Sequence, residues 1–229
     1  MTISIVARCS NGASVGAAVT SSSFSVAARC LRWDPAVGIS CSQSITDPRL
    51  GESLLARLGR GQDPKAALAG LQAEESHFEY RQLTAMSFAG AHAGYSGPLV
   101  LGKHAVLDAG DHVVAGNMLA HGQVLEAVSA GYRQDPTAPL ALRLVHALQA
   151  GEAAGGEVRE LRSAGVMVLA GDSWPLVDVR VDWHGHPLEQ LADLTARWLP
   201  QAAAYRDRAY DPREAYALVS SQLESENQV

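Results

Sequence analysis

The stretch that decides the fold is Met1–Val19, MTISIVARCSNGASVGAAV. Thr2–Arg8 is β-branched and largely apolar, which predicts a strand. Asn11-Gly12 is a tight-turn signal. Val15–Thr20, rich in small residues, predicts a second strand running back along the first. Phe24–Cys30 and Val37–Gln43 read as two more. Four short strands within the first 43 residues, joined by tight turns, predict an antiparallel sheet.

After Gln43 the hydrophobic period changes. Asp47 is placed to cap a helix and Pro48 to occupy its first position. Leu50, Leu54, Leu55 and Leu58 make one stripe, and Gly59 stops it. Asp63 and Pro64 repeat the signal for a second helix, with Ala67, Leu68 and Leu71 inward. Strands are expected at Tyr80–Phe88, near Tyr95, at His104–Asp108 and at His112–Gly116. Two helices follow, Gln123–Tyr132 and Ala138–Ala150, the latter carrying Leu140, Leu144, Val145 and Leu148. Ser163–Ala170 and Leu176–Trp183 return to strand. Pro187–Leu199 is a helix with Leu188, Leu191, Leu194 and Trp198 on one side, and Pro212–Leu223 a last one. Strand groups alternating with helix pairs predict an α+β fold: a four-layer αββα sandwich forming a single domain over residues 1–229.

The chain has 229 residues, 47% hydrophobic and 18% charged. So little charge leaves surface for a partner to cover, and a homodimer is expected. A net charge of −6 without a Lys/Arg run argues against nucleic acid. The absence of a membrane-length apolar run argues against membrane insertion. Cys9, Cys30 and Cys41 are odd in number and form no CxxC, so reduced, mostly buried thiols and a cytoplasmic location are expected. No signal peptide precedes the first strand. His184-x-His186 has metal-ligand spacing, but Gly185 and Pro187 around it read as a strand-to-helix turn. No P-loop, GxGxxG, GxSxG or HExxH occurs, so neither cofactor nor metal is expected.

TISIVAR (2–8), SQSITDPRLG (42–51), YRQL (80–83), AGNML (115–119) and VDVRVD (177–182), in this order, resemble the domain-of-unknown-function 1028 family. The resemblance runs from Thr2 to the helix after Pro187. It implies an N-terminal-nucleophile (Ntn) hydrolase-like scaffold and names no substrate. The family often carries Gly-Gly-Asp, then Arg-Gly, before its late strand. Here the segment is GGEVRELRSAG (155–165), with Glu157 at the Asp and Glu160 at the later Gly.

On such a scaffold Thr2 is the candidate nucleophile. Once Met1 is removed its α-amine, with an ordinary pKa of about 7.7–8.0, can take the hydroxyl proton. Otherwise Thr2 is only a β-former at a strand start. Gln43 and Asn117 end strands and carry uncharged amides suited to an oxyanion, or else to turns and caps. Arg81 and Gln82, entering an apolar strand, are candidate substrate-binding residues, Arg81 for a carboxylate. Ser22, in a run of three serines, either lines a pocket or makes a turn. The expected activity is that of an amidohydrolase on a small amide or peptide-like molecule. The alternative is a small-molecule-binding or structural homo-oligomer on the same scaffold.

Overall fold

The computed structural model describes residues 2–213. β1 (Thr2–Arg8) and β2 (Val15–Ser21) form the expected opening hairpin. A one-turn helix, α1 (Val26–Cys30), leads into β3 (Leu31–Asp34) and β4 (Gly38–Ser44). Helices α2 (Pro48–Gly59) and α3 (Pro64–Glu74) each start at a proline behind an aspartate. Asp47 accepts from the Arg49 N–H, and Asp63 from those of Lys65 and Ala66. A 3-10 turn at Phe78–Tyr80 precedes β5 (Arg81–Ser87), β6 (His92–Ser96), β7 (Ala105–Asp108) and β8 (His112–Asn117). Then come α4 (Val124–Arg133), α5 (Leu140–Ala153), β9 (Ser163–Leu169), β10 (Val177–Val181) and α6 (Pro187–Tyr210).

The strands make two antiparallel sheets, ordered β10-β9-β2-β1-β8-β7 and β3-β4-β5-β6. They stack face to face through β1, β2 and β8 against β4, β5 and β6. α4, α5 and α6 cover the outer face of the six-stranded sheet; α2 and α3 cover the outer face of the other. This is the αββα sandwich. Period-2 alternation sorts β1 between its layers: Ile3, Ile5 and Ala7 pack outward under α4 and α5, while Val6 faces the opposite sheet.

The strand expected at Phe24–Cys30 is instead α1. The second sheet has two strands fewer, so it leaves the inner face of β9 uncovered. One helical turn fills that space with Val26, Ala27 and Cys30. Gly165 makes the approach possible, because a Cβ there would lie 2.5 Å from that of Ala27. α6 runs past the expected end at Leu199, through Pro200, to Tyr210. Its far end is held by Asp172, whose carboxylate accepts from Arg206 (2.7 Å) and Tyr210 (2.6 Å). The helix expected at Pro212–Leu223 lies almost entirely outside the described residues. No described helix is long and apolar enough to cross a membrane. Cys30 and Cys41 are buried, Cys9 partly so, and all three are free.

Candidate active site

Register decides what meets at the end of the sandwich. Thr2 pairs with Ser21 on one side and with Asn117 on the other, and Ser21 pairs with Ser163. Because Val6, Val15, Ala17, Val19, Val113, Met167 and Leu169 face the opposite sheet, alternation turns Ser163, Ser21, Thr2 and Asn117 the same way. They form one row across β9, β2, β1 and β8. In the facing sheet Ile39, Cys41 and Met86 point inward, so Gln43 and its register partner Gln82 do too. One step deeper stand Ser4, Cys41 and Thr84, and one step further Val6, Ile39, Val113 and Met86. The space between the sheets thus passes from aliphatic to polar as it approaches the head of β1.

Thr2, Ser21, Ser163, Gln43, Gln82 and Asn117 are all at most 5% exposed. Polar groups this deep need partners, and Gln82 supplies several. Its Oε1 accepts from Gln43 Nε2 at 2.7 Å and from Asn117 Nδ2 at 2.9 Å. Its Nε2 donates toward the carbonyls of Gly116 (2.9 Å) and Ala105 (3.1 Å) and toward Ser96 Oγ (2.9 Å). Ser96 Oγ in turn lies 2.8 Å from His104 Nδ1. This joins the two sheets by side chains at the Thr2 end. Gln43 and Asn117 each keep a second amide hydrogen beyond the one spent on Gln82. Ser163 Oγ donates to the Ser23 carbonyl (2.5 Å) and accepts the Val26 N–H (3.2 Å), which fixes the turn that begins α1.

Backbone strain gathers here as well. Ser25 (φ 48°), Ser44 (φ 73°) and Met118 (φ 49°) are the non-glycine residues with positive φ among those described. Ser44 directly follows Gln43 and Met118 directly follows Asn117, so both amides sit one residue before a left-handed turn. Asn117 does not cap a helix, since α4 starts at Val124.

Of the residues singled out from sequence, Thr2, Gln43, Gln82 and Asn117 converge. Ser22 lies one step past the Ser21 position. Arg81 does not join them. It alternates to the other face of β5, where its guanidinium donates to the Ile45 carbonyl (2.7 Å) and meets Glu75 (3.5 Å). The sequence reading missed Ser4, Thr84 and Ser163, whose role depends on strand register, and took Ser21 only as part of a run of three serines. It also missed Glu157, seen only as a departure from a family motif. The tight turn that delivers Glu157 uses Gly155 (φ 111°) and Gly156 (φ 53°), backbone angles open to glycine. Both carboxylate oxygens of Glu157 are buried without a hydrogen-bond partner. Burial pushes this carboxyl up to about 7; Ser22, which faces it without making a bond of good geometry, the charge of the chain's amino terminus and that of Arg159 pull the other way.

Exposed apolar side chains gather around this end. Phe24 stacks on Trp183 with ring centroids 3.9 Å apart, and both are exposed. Ile45, Leu101 and Val158 are exposed beside Ser44, Met118 and Glu157. His184 and His186 lie in the turn between β10 and α6. Among the described residues no group of three His, Cys, Asp or Glu is arranged for a metal.

A family model described as "Family of unknown function (DUF1028)" matches residues 2–191. The crystal structure of protein SPO2555 from Silicibacter pomeroyi, which carries that same family model, is similar at 31% identity. The match covers 86% of this chain and 85% of that one, with a TM-score of 0.79. Anbu (ancestral beta-subunit) from Yersinia bercovieri is similar at 13% identity over 89% of this chain and 97% of its own, with a TM-score of 0.41. Anbu from Hyphomicrobium sp. strain MC1 is similar at 8% identity over 88% and 97%, also with a TM-score of 0.41. No curated protein matches.

Proposed function

This chain belongs to the DUF1028 family of unknown function, and on that footing we propose that it is an Ntn-type amidohydrolase acting on a small amide or peptide-like substrate. The observation that carries the reading is the position of Thr2. It is a hydroxyl residue at the head of a central strand, flanked in register by Ser21 and Asn117 and facing Gln43 and Gln82.

Loss of Met1 frees the Thr2 α-nitrogen. Thr2 Oγ attacks the substrate's amide carbon, and its proton passes to that nitrogen. The carbonyl oxygen becomes an oxyanion, to which Asn117 and Gln43 each have a spare amide hydrogen to donate. As the C–N bond breaks, the α-ammonium returns the proton to the leaving amine. Water then attacks the acyl-ester carbon and gives its proton to the α-nitrogen. That proton reaches Thr2 Oγ as the ester bond breaks and the acid leaves. The apolar rim of Phe24, Trp183, Ile45, Leu101 and Val158 favours amides with apolar flanks. Arg81, engaged on the far face of its sheet, takes no part.

The test pairs intact-mass spectrometry with a panel of chromogenic amides. The expected result is a chain starting at Thr2, a mass gain during turnover equal to the acyl group less the hydrogen it replaces, and loss of that adduct and of hydrolysis in Thr2→Ala. A chain that keeps Met1, or hydrolysis untouched by Thr2→Ala, removes the proposal. The second reading, binding without turnover, is favoured by one observation: Gln82 already takes one hydrogen from each amide. It predicts thermal stabilisation by amides that Thr2→Ala leaves intact.

A further inference from the structure

β8 has β1 on one edge and β7 on the other. Beyond Asn117 the chain keeps two neighbours. The N–H groups of Met118 and Leu119 reach the Leu101 and Lys103 carbonyls, just ahead of β7. On the opposite edge the Ala120 N–H reaches the Gly156 carbonyl, the Val158 N–H reaches the Met118 carbonyl, and Leu119 bridges Glu157. Residues 156–158 therefore take the edge that β1 occupies further down, in line with the head of that strand. Ser22, just past the end of β2 on the other flank of β1, faces the Glu157 carboxyl. Glu157 stands ahead of Thr2, between its two neighbouring strands.

A buried carboxylate without hydrogen bonds is costly unless a cation reaches it. The cation nearest in sequence, Arg159, is exposed and turns its guanidinium toward the Met118 sulfur, 4.0 Å away. The titratable His121 packs its ring against Gly155, and its Nδ1 is also unpartnered. Neither supplies a charge-assisted bond to Glu157.

We infer that Glu157 is the counter-charge of the Thr2 α-amine, its carboxylate holding the ammonium that forms when the nitrogen takes the Thr2 hydroxyl proton. The inference rests on the Ntn reading above and gives that reading a fourth group. Burial alone weakens the amine as a base, because it disfavours the charged form. A carboxylate at hydrogen-bond range reverses this. The proton's path is unchanged: it moves from Oγ to nitrogen, and Glu157 accepts a hydrogen bond from the ammonium without taking the proton. Glu157 is thus a positioning and electrostatic residue for the base.

The test is independent of turnover. The chain is made by cell-free synthesis, with deformylase, from 13C-carboxyl-labelled glutamate, either with or without methionine aminopeptidase. The first product begins at Thr2 and the second retains Met1. Glu157→Gln, close in shape, identifies the Glu157 resonance. In the chain beginning at Thr2 the Glu157 midpoint is expected about one pH unit or more below that in the chain keeping Met1, as for a carboxylate that gains a hydrogen bond from an ammonium which otherwise acts on it only through its charge. Equal midpoints overturn the inference. A shifted midpoint in a protein that cleaves no amide keeps the pairing and removes the hydrolase. Cleavage with unshifted midpoints does the reverse.

Discussion

Gln82 has more acceptors around its amide nitrogen than that nitrogen has hydrogens. Three oxygens lie within 3.1 Å of Nε2, so two hydrogens are shared among them, and Oε1 serves two further amides. Such a buried hub is expensive to cut, since each orphaned partner costs roughly 1–3 kcal/mol and the losses are not additive. Gln82→Ala is expected to lose about 3–5 kcal/mol in urea denaturation, whereas Thr2→Ala should lose far less, because it empties no hub. Sequence drew attention to Gln43, Gln82 and Asn117 separately, as amides at or near strand ends. It had no means of joining them, because cross-strand register is a property of pairing and not of any one segment. Arg81 shows the same limit: next to Gln82 on a strand it must point the other way. Which of the two faced the interior became visible only when β4 and β5 were paired.

At the scale of elements, signals carried within a few residues were legible. Asp47-Pro48 and Asp63-Pro64 set two helix starts at the expected residues. The opening hairpin followed from Thr2–Arg8, Asn11-Gly12 and Val15. What failed depended on distant neighbours. Phe24–Cys30 has strand-like composition, but the uncovered inner face of β9 and the bonds of Ser163 to Ser23 and Val26 wind it into a helix. Pro200 removes one hydrogen bond and suggests an end to α6. The helix continues because Asp172 grips Arg206 and Tyr210 about two and three turns further on. Asp172→Ala is expected to speed amide hydrogen exchange over residues 203–210 while leaving the Pro187–Leu199 portion, packed on β9 and β10, protected. Uniform acceleration along α6 would show that this grip is not what holds the end. The Tyr210 hydroxyl, with Arg206, holds the Asp172 carboxyl below its ordinary 3.8. The tie therefore persists at neutral pH and is lost as pH falls below that value.

Across the whole molecule, two buried groups tilt stability in opposite directions with pH. With Met1 in place, Glu157 titrates near 7 in the folded chain against an ordinary 4.5. Between those values the unfolded chain binds fewer protons, so stability falls as pH rises. His112 is fully buried against Asp111 and Ser129; desolvation draws it below 6.5 despite Asp111. Its contribution is lost as pH falls below 6.5. The chain that keeps Met1 is thus expected to show a flattened profile between pH 5 and 8. In that form Glu157→Gln should gain Tm relative to the unsubstituted chain at pH 8 but not at pH 5, and should keep the acid-side slope from His112. A gain equal at both pH values would count against Glu157 as the source of the alkaline slope. The sparse surface charge also gives an expectation at this scale, a light-scattering mass of twice the 24.1 kDa chain.

One consequence concerns how the protein is handled. Its leading strand sits inside the sheet, between two others, and the 156–158 segment closes the space upstream. Extra residues ahead of Thr2 have to push that segment aside or leave through the apolar rim. An affinity tag or reporter fused at the amino end should accordingly lower yield and melting temperature.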